Sequence, residues 1–149
     1  MMMHSYFSMF VIMMISGILS SMNIWVDNVD DIRISLNDIY MSLLMSGWMI
    51  LFMATLDKNI TMLLVGISII TISFIAIRLQ LFVNEKQYLL GMIPHHSMAV
   101  TMSKKLQEKI QSSRNTLQNN SDILALLNQI ISSQQKEIQF MKSKLLSIP

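Results

Sequence analysis

The chain contains no cysteine. Disulfides and thiolate metal sites are therefore excluded, and any site for a soft metal must use methionine sulfur and imidazole. Charge is scarce too: Asp, Glu, Lys and Arg make up 13% of the 149 residues. The short patterns behind much hydrolytic and phosphate chemistry are also missing, with no HExxH, no phosphate-cradling glycine loop and no nucleophile elbow. A di-iron oxidase needs several carboxylates and Glu-x-x-His pairs on its helices. The tail offers Glu85, Glu108, Asp122 and Glu137, and no such pair. An enzyme is not expected. Nor is a nucleic-acid partner, because the region after Asn84 has a single arginine, Arg114, and few aromatics to stack on bases.

What is present is apolar. Hydrophobic residues are 52% of the chain, and the charges are unevenly placed. Ahead of Asn84 stand five acidic residues and three basic ones (Arg33, Lys58, Arg78), whereas eight basic and four acidic residues follow. Tyr6 to Val26 is an uncharged run of 21 residues, and Ile39–Leu56 and Ile60–Ile77 are runs of 18 each. A helix of about 20 apolar residues crosses a ~30 Å hydrocarbon core. The first run reads as a retained span, with Trp25 at the interface, and not as a signal peptide. No Lys or Arg precedes it, and Ser20 and Ser21 make a poor cleavage site. The second and third runs are joined only by Asp57-Lys58-Asn59, which predicts an antiparallel hairpin. Arg78 closes the third and can snorkel. Helices this uniformly apolar need burial on all sides, and a soluble chain of this length cannot supply so much core. Membrane lipid is therefore an expected partner.

Sixteen residues are methionine. Met41, Met45, Met49 and Met53 recur every four positions, and Met9 and Met13 repeat that spacing. Such residues follow one slowly drifting helix face. They suit adaptable packing between helices and equally a row of thioethers for Cu(I) or Ag(I).

The densest cluster is Gly91-Met92-Ile93-Pro94-His95-His96-Ser97-Met98, followed by Ala99 and Met102. Pro94 either kinks a helix or opens one. A helix to about Gln111, a polar turn over 112–120 and a second helix from Ser121 to about Leu146 are predicted, with Ser121 as N-cap and Asp122 in the first turn. The second helix carries the seam Ile123, Leu127, Ile130, Gln134, Ile138, Met141, Leu145. Met92, His95, His96 and Ala99 are spaced i, i+3, i+4, i+7, with Met98 and Met102 flanking. Antiparallel packing brings His95 and His96 toward Glu137 and Met141. Imidazole with thioether suits Cu(I) or Ag(I), while imidazole with carboxylate also admits Cu(II) or Zn(II). Gln134 and Glu137 equally suit the orienting of an imidazole. Surface or core histidines without a metal are the competing reading. The expected fold is all-α: a membrane domain of three transmembrane helices over 1–83, then an antiparallel helical hairpin over 84–149.

These residues resemble a known family. Met92-Ile93-Pro94-His95-His96-x-Met98-Ala99, with Ile130-Ile131-x-x-Gln134-x-x-Glu137-Ile138-x-x-Met141-Lys142, is similar to the CopM-like family of ferritin-like helical proteins. That family includes exported copper and silver binders. Tyr40-Met41 through Met53, the turn near Lys58-Asn59, Arg78-x-Gln80-x-x-Val83 and Tyr88 resemble its membrane-anchored branch. Asp31 stands where that branch carries a loop histidine, Asp38 lies where it has a nearby arginine, and Glu85 and Leu89 replace its aspartate and methionine. The resemblance implies a ligand pool of Met92, His95, His96, Met98, Met102 and Met141. A lone two-helix pair buries little core, so the half-bundle is expected to be completed by a second copy, as a homodimer, or by docking against the membrane helices. The resemblance favours a tail outside the cytoplasm, whereas the placement of lysines taken literally favours a cytoplasmic one. The alternative is a membrane-anchored structural or interaction protein whose basic tail touches anionic lipid without any metal.

Overall fold

The computed structural model describes residues 2–112 and 121–148; the predicted polar turn at 112–120 lies almost wholly outside the described residues. Five α-helices, α1 (Met2–Leu19), α2 (Leu36–Leu56), α3 (Ile60–Leu79), α4 (Glu85–Ser112) and α5 (Ser121–Ser147), are joined by 3-10 turns at Met22–Trp25 and Val29–Asp31, and no strand occurs among the described residues. The chain divides into two compact units. One comprises Met1–Ser21 and Ile34–Gln87, the other Met22–Arg33 and Tyr88–Pro149. The loop between α1 and α2 thus groups with the residues of the distant α4 and α5, not with the apolar helices beside it in sequence.

Three stretches are long and apolar enough to cross a membrane: Tyr6–Trp25, Leu36–Leu56 and Ile60–Leu79. The first differs from a single helix to Val26, because α1 stops at Leu19. The Asn23 side chain explains the break. Its amide donates to the Arg33 carbonyl (2.6 Å) and accepts from the Arg33 N–H (3.0 Å), closing a loop where a helix would continue. The second span starts three residues before the apolar run. The Asp38 carboxylate reaches back to the Ser35 N–H and hydroxyl, both at 2.8 Å, and so caps the first turn of α2.

The hairpin of α2 and α3 turns at Lys58, whose φ of 53° is left-handed, and Asn59 then caps α3 by accepting from the Met62 N–H at 3.2 Å. Close approach of these helices depends on glycine. A Cβ at Gly66 would lie 2.9 Å from the backbone nitrogen of Leu51, and one at Gly47 would lie 2.9 Å from Ile70 Cγ1. For helices in lipid, apolar surface would gain little by leaving lipid for protein, and backbone proximity and dispersion would hold such pairs together. α1 joins α2 the same way: Gly17 abuts Ser42, and the Tyr6 hydroxyl donates to Asp57 Oδ2 at 2.7 Å. At the other end of the hairpin, Tyr40 donates to the Leu81 carbonyl at 2.7 Å. The backbone turns left-handed at Gln80 and Phe82, and Asn84 caps a fresh helix by accepting from the Gln87 N–H.

In the second unit α4 and α5 run antiparallel, as the pairs His96–Glu137 and Gln107–Asn128 require. α4 passes through Pro94 without ending, so Pro94 sits in the helix interior, not in a first turn. It removes one backbone donor, and it is itself buried. The core is Leu89, Ile93, Val100, Ile138 and Met141, with Met92, Ile131, Leu145 and Ile148 packed against it. Of the predicted seam on α5, Leu127, Ile138 and Met141 are buried, Gln134 is half-buried, and Ile123 lies outside, 42% exposed.

Candidate metal site and polar clasp

Adjacent positions on a helix point 100° apart, and α4 uses this to send its motif in three directions. Leu89, Ile93 and Val100 mark the buried line. Met92 packs on that core, as does Met141 from α5. His96 flanks the line, half-buried, with Glu137 Oε2 2.9 Å from its Nδ1. Gln134 also hydrogen-bonds this imidazole. His95, Met98 and Met102, at i, i+3 and i+7, take the outer side of α4, where His95 and Met102 are exposed and Met98 is half-buried. The two imidazoles stand edge to face, their centroids 5.9 Å apart at 62°.

The predicted residues therefore fall into an outer set (His95, Met98, Met102), a flank set (His96, Glu137, with Gln134) and two core methionines (Met92, Met141). His96 comes together with Glu137 as the antiparallel packing predicts. Among the described residues no three of His, Cys, Asp and Glu gather as a metal cluster; a thioether site falls outside that chemistry.

Burial is the largest influence on His96 and pushes its pKa below the ordinary imidazole value, with neighbouring His95 acting in the same direction; the Glu137 charge and the hydrogen bonds that Glu137 and Gln134 accept from the ring oppose it. The ring is thus neutral at pH 7, the form that ligates metals. Nδ1 is the nitrogen turned to Glu137. The sign of the pH effect follows. A folded pKa below the unfolded value of about 6.5 means the unfolded chain binds more protons just below that pH, so stability falls as pH drops through it. A His96→Gln variant is expected to show a flatter stability profile between about pH 7 and 5 in thermal melts; an unchanged slope would mean His96 is not the group responsible.

On the opposite flank of the core line lies a cluster that sequence reasoning missed. Ser97 is completely buried, and its hydroxyl donates to Asp31 Oδ2 (2.6 Å) while accepting from the Asp27 N–H (2.8 Å). Asp31, only 1% exposed, is also paired with Lys142 of α5. Asp27 holds Lys104 through both oxygens, at 2.9 and 2.7 Å. The loop 22–33 is thereby clasped to α4 and α5, roofing a cleft of about 250 Å³ over Val100 and Ile138. The one available signal was a loop dense in aspartate facing a basic tail. Nothing in the spacing tells which aspartate meets which lysine.

Residues 77–145 match the family described as Domain of unknown function (DUF305). The chain is also 47% identical over 134 residues to "Uncharacterized protein L153" of Acanthamoeba polyphaga mimivirus, an alignment covering 87% of this chain and 83% of that protein. No solved structure matches it. A family match spanning the candidate site, with close identity along almost the whole length of that viral protein, places this chain in the DUF305 family of helical proteins.

Proposed function

We propose that the protein is a membrane-anchored binder of soft monovalent metal, Cu(I) or Ag(I), of the membrane branch of CopM-like proteins. The observation that carries this reading is the outer face of α4, where His95, Met98 and Met102 stand one above the other with solvent access. One imidazole and two thioethers are the soft, neutral donors that such ions prefer. His96, on the adjoining flank, is a further donor, kept neutral by burial and oriented by Glu137 and Gln134. Glu137 acts through His96, and Met92 and Met141 shape the helix packing beneath. We further propose that the helical hairpin faces the extracytoplasmic side and pairs with a second copy to complete a ferritin-like bundle.

Binding of Ag(I) to the full chain in detergent tests the site. In a His95→Ala/His96→Ala variant the equivalent held on α4 is expected to bind at least tenfold more weakly, about 1.4 kcal/mol or more, with the fold unchanged by circular dichroism. Equal binding by both proteins would remove the proposal and leave the lipid-contacting structural reading. Zn(II) bound more tightly than Ag(I) would replace the soft-metal assignment with an imidazole–carboxylate one. The absence of cysteine makes topology simple to read: a Lys144→Cys variant is expected to react with an impermeant maleimide in intact cells.

A further inference from the structure

The methionines of the first unit form a second arrangement. α1 and α2 are antiparallel, and three contacts fix their register: Gly17 on Ser42, Phe10 on the cluster containing Ile50, and Tyr6 on Asp57. In that register Met13 falls between Met45 and Met49 of the neighbouring helix, and Met9 falls between Met49 and Met53. The flanks agree as well. Phe7 and Phe10 share an apolar groove with Met62, Val65 and Ile69 of α3, so Met9 and Met13, turned to the other side of α1, face away from α3. On α2, Gly47 and Leu51 meet α3, and Met45 and Met49 lie on the opposite side of the helix. The two helices therefore set their methionines along one shared seam. Met9, Met13, Met49 and Met53 are half-buried there, and Met45 is 39% exposed.

We propose that this seam binds a monovalent soft cation, Ag(I) or Cu(I), between the thioethers of Met13, Met45 and Met49, with Met9 and Met53 forming the next position toward Asp57. Thioether sulfur is neutral and polarisable. It coordinates soft ions and offers little to Na⁺, K⁺ or Mg²⁺. An ion in an apolar span is costly unless liganded, and staggered sulfurs from two helices supply ligands along the span. No lysine or arginine lies within α1 or α2 to repel it. The carboxylate of Asp57 supplies negative charge at the Met53 end. The seam uses none of the α4 residues, so it stands apart from the site proposed there.

The test compares three forms of the full chain in lipid nanodiscs loaded with Ag(I): wild type, a Met13→Leu/Met45→Leu/Met49→Leu variant, and a His95→Ala/His96→Ala/Met98→Leu/Met102→Leu variant. Leucine conserves volume, so packing should persist, and circular dichroism checks it. The α4 variant is expected to retain silver with sulfur-only coordination by X-ray absorption. The seam variant is expected to lose at least one equivalent relative to wild type. A Met13→Leu/Met49→Leu pair, milder for folding, should weaken that equivalent at least tenfold. The seam is ordinary packing if the α4 variant retains no silver, or if the seam variant holds as much as wild type. Silver lost only from the α4 variant would keep the hairpin site and remove this one; silver lost only from the seam variant would do the reverse.

Discussion

Lys142→Met is expected to destabilise the second unit by about 3 kcal/mol, the low end of the cost of leaving one member of a buried ion pair alone, because Asp31 is buried while the Lys142 side chain is 33% exposed. The reason is Asp31, which is 1% exposed and has its two oxygens committed to Lys142 and Ser97. Without the ammonium, that carboxylate is left in the interior without its cation, and the loop 22–33 is released with it. Replacing both partners, as Asp31→Leu/Lys142→Met, should recover most of the loss, because a buried pair gains little over well-packed apolar groups. Chemical unfolding of the three proteins, with hydrogen exchange of the amides in 22–33, reads the effect. Wild-type stability and protection in Lys142→Met would mean Asp31 is solvated and the clasp is not a structural element.

The second large effect is expected at Gly66. A leucine there would drive its Cβ into the backbone of Leu51, 2.9 Å from N and 3.0 Å from Cα. Backbone cannot step aside as a flexible side chain does, so α2 and α3 must separate. Overpacking of this kind costs roughly 1–3 kcal/mol, occasionally more, and here it also removes the close contact that holds membrane helices together. Ser68→Leu, on an exposed face of the same helix, is the control and should be nearly neutral. Unfolding in mixed micelles containing sodium dodecyl sulfate should rank Gly66→Leu well below Ser68→Leu. Equal stability would show that the hairpin does not depend on this contact.

Much of the architecture was legible residue by residue. Uncharged runs bounded by Asp38, Asp57, Lys58 and Arg78 mark out spans two and three, because burying a charge in hydrocarbon is so unfavourable that the boundaries must show. The three-residue link at Asp57-Lys58-Asn59 leaves no choice but an antiparallel hairpin. The pairing of His96 with Glu137 followed from helical spacing and one turn. The end of the first helix was not legible. Tyr6 to Val26 is apolar throughout, and what ends α1 at Leu19 is an amide at Asn23 that meets Arg33 across the loop.

Composition and periodicity are local properties, and from them one can read where the chain is apolar, which helices are antiparallel and which soft donors exist. How those donors divide is settled by packing: His95, Met98 and Met102 outward, His96 toward Glu137, Met92 and Met141 into the core. Packing alone assigned the loop 22–33 to α4 and α5, through Ser97, Asp31, Asp27, Lys104 and Lys142. The physical reason is that an ion pair between residues over a hundred positions apart has no periodicity to betray it. The choice among several aspartates and lysines is made by burial, which exists only once the helices have packed.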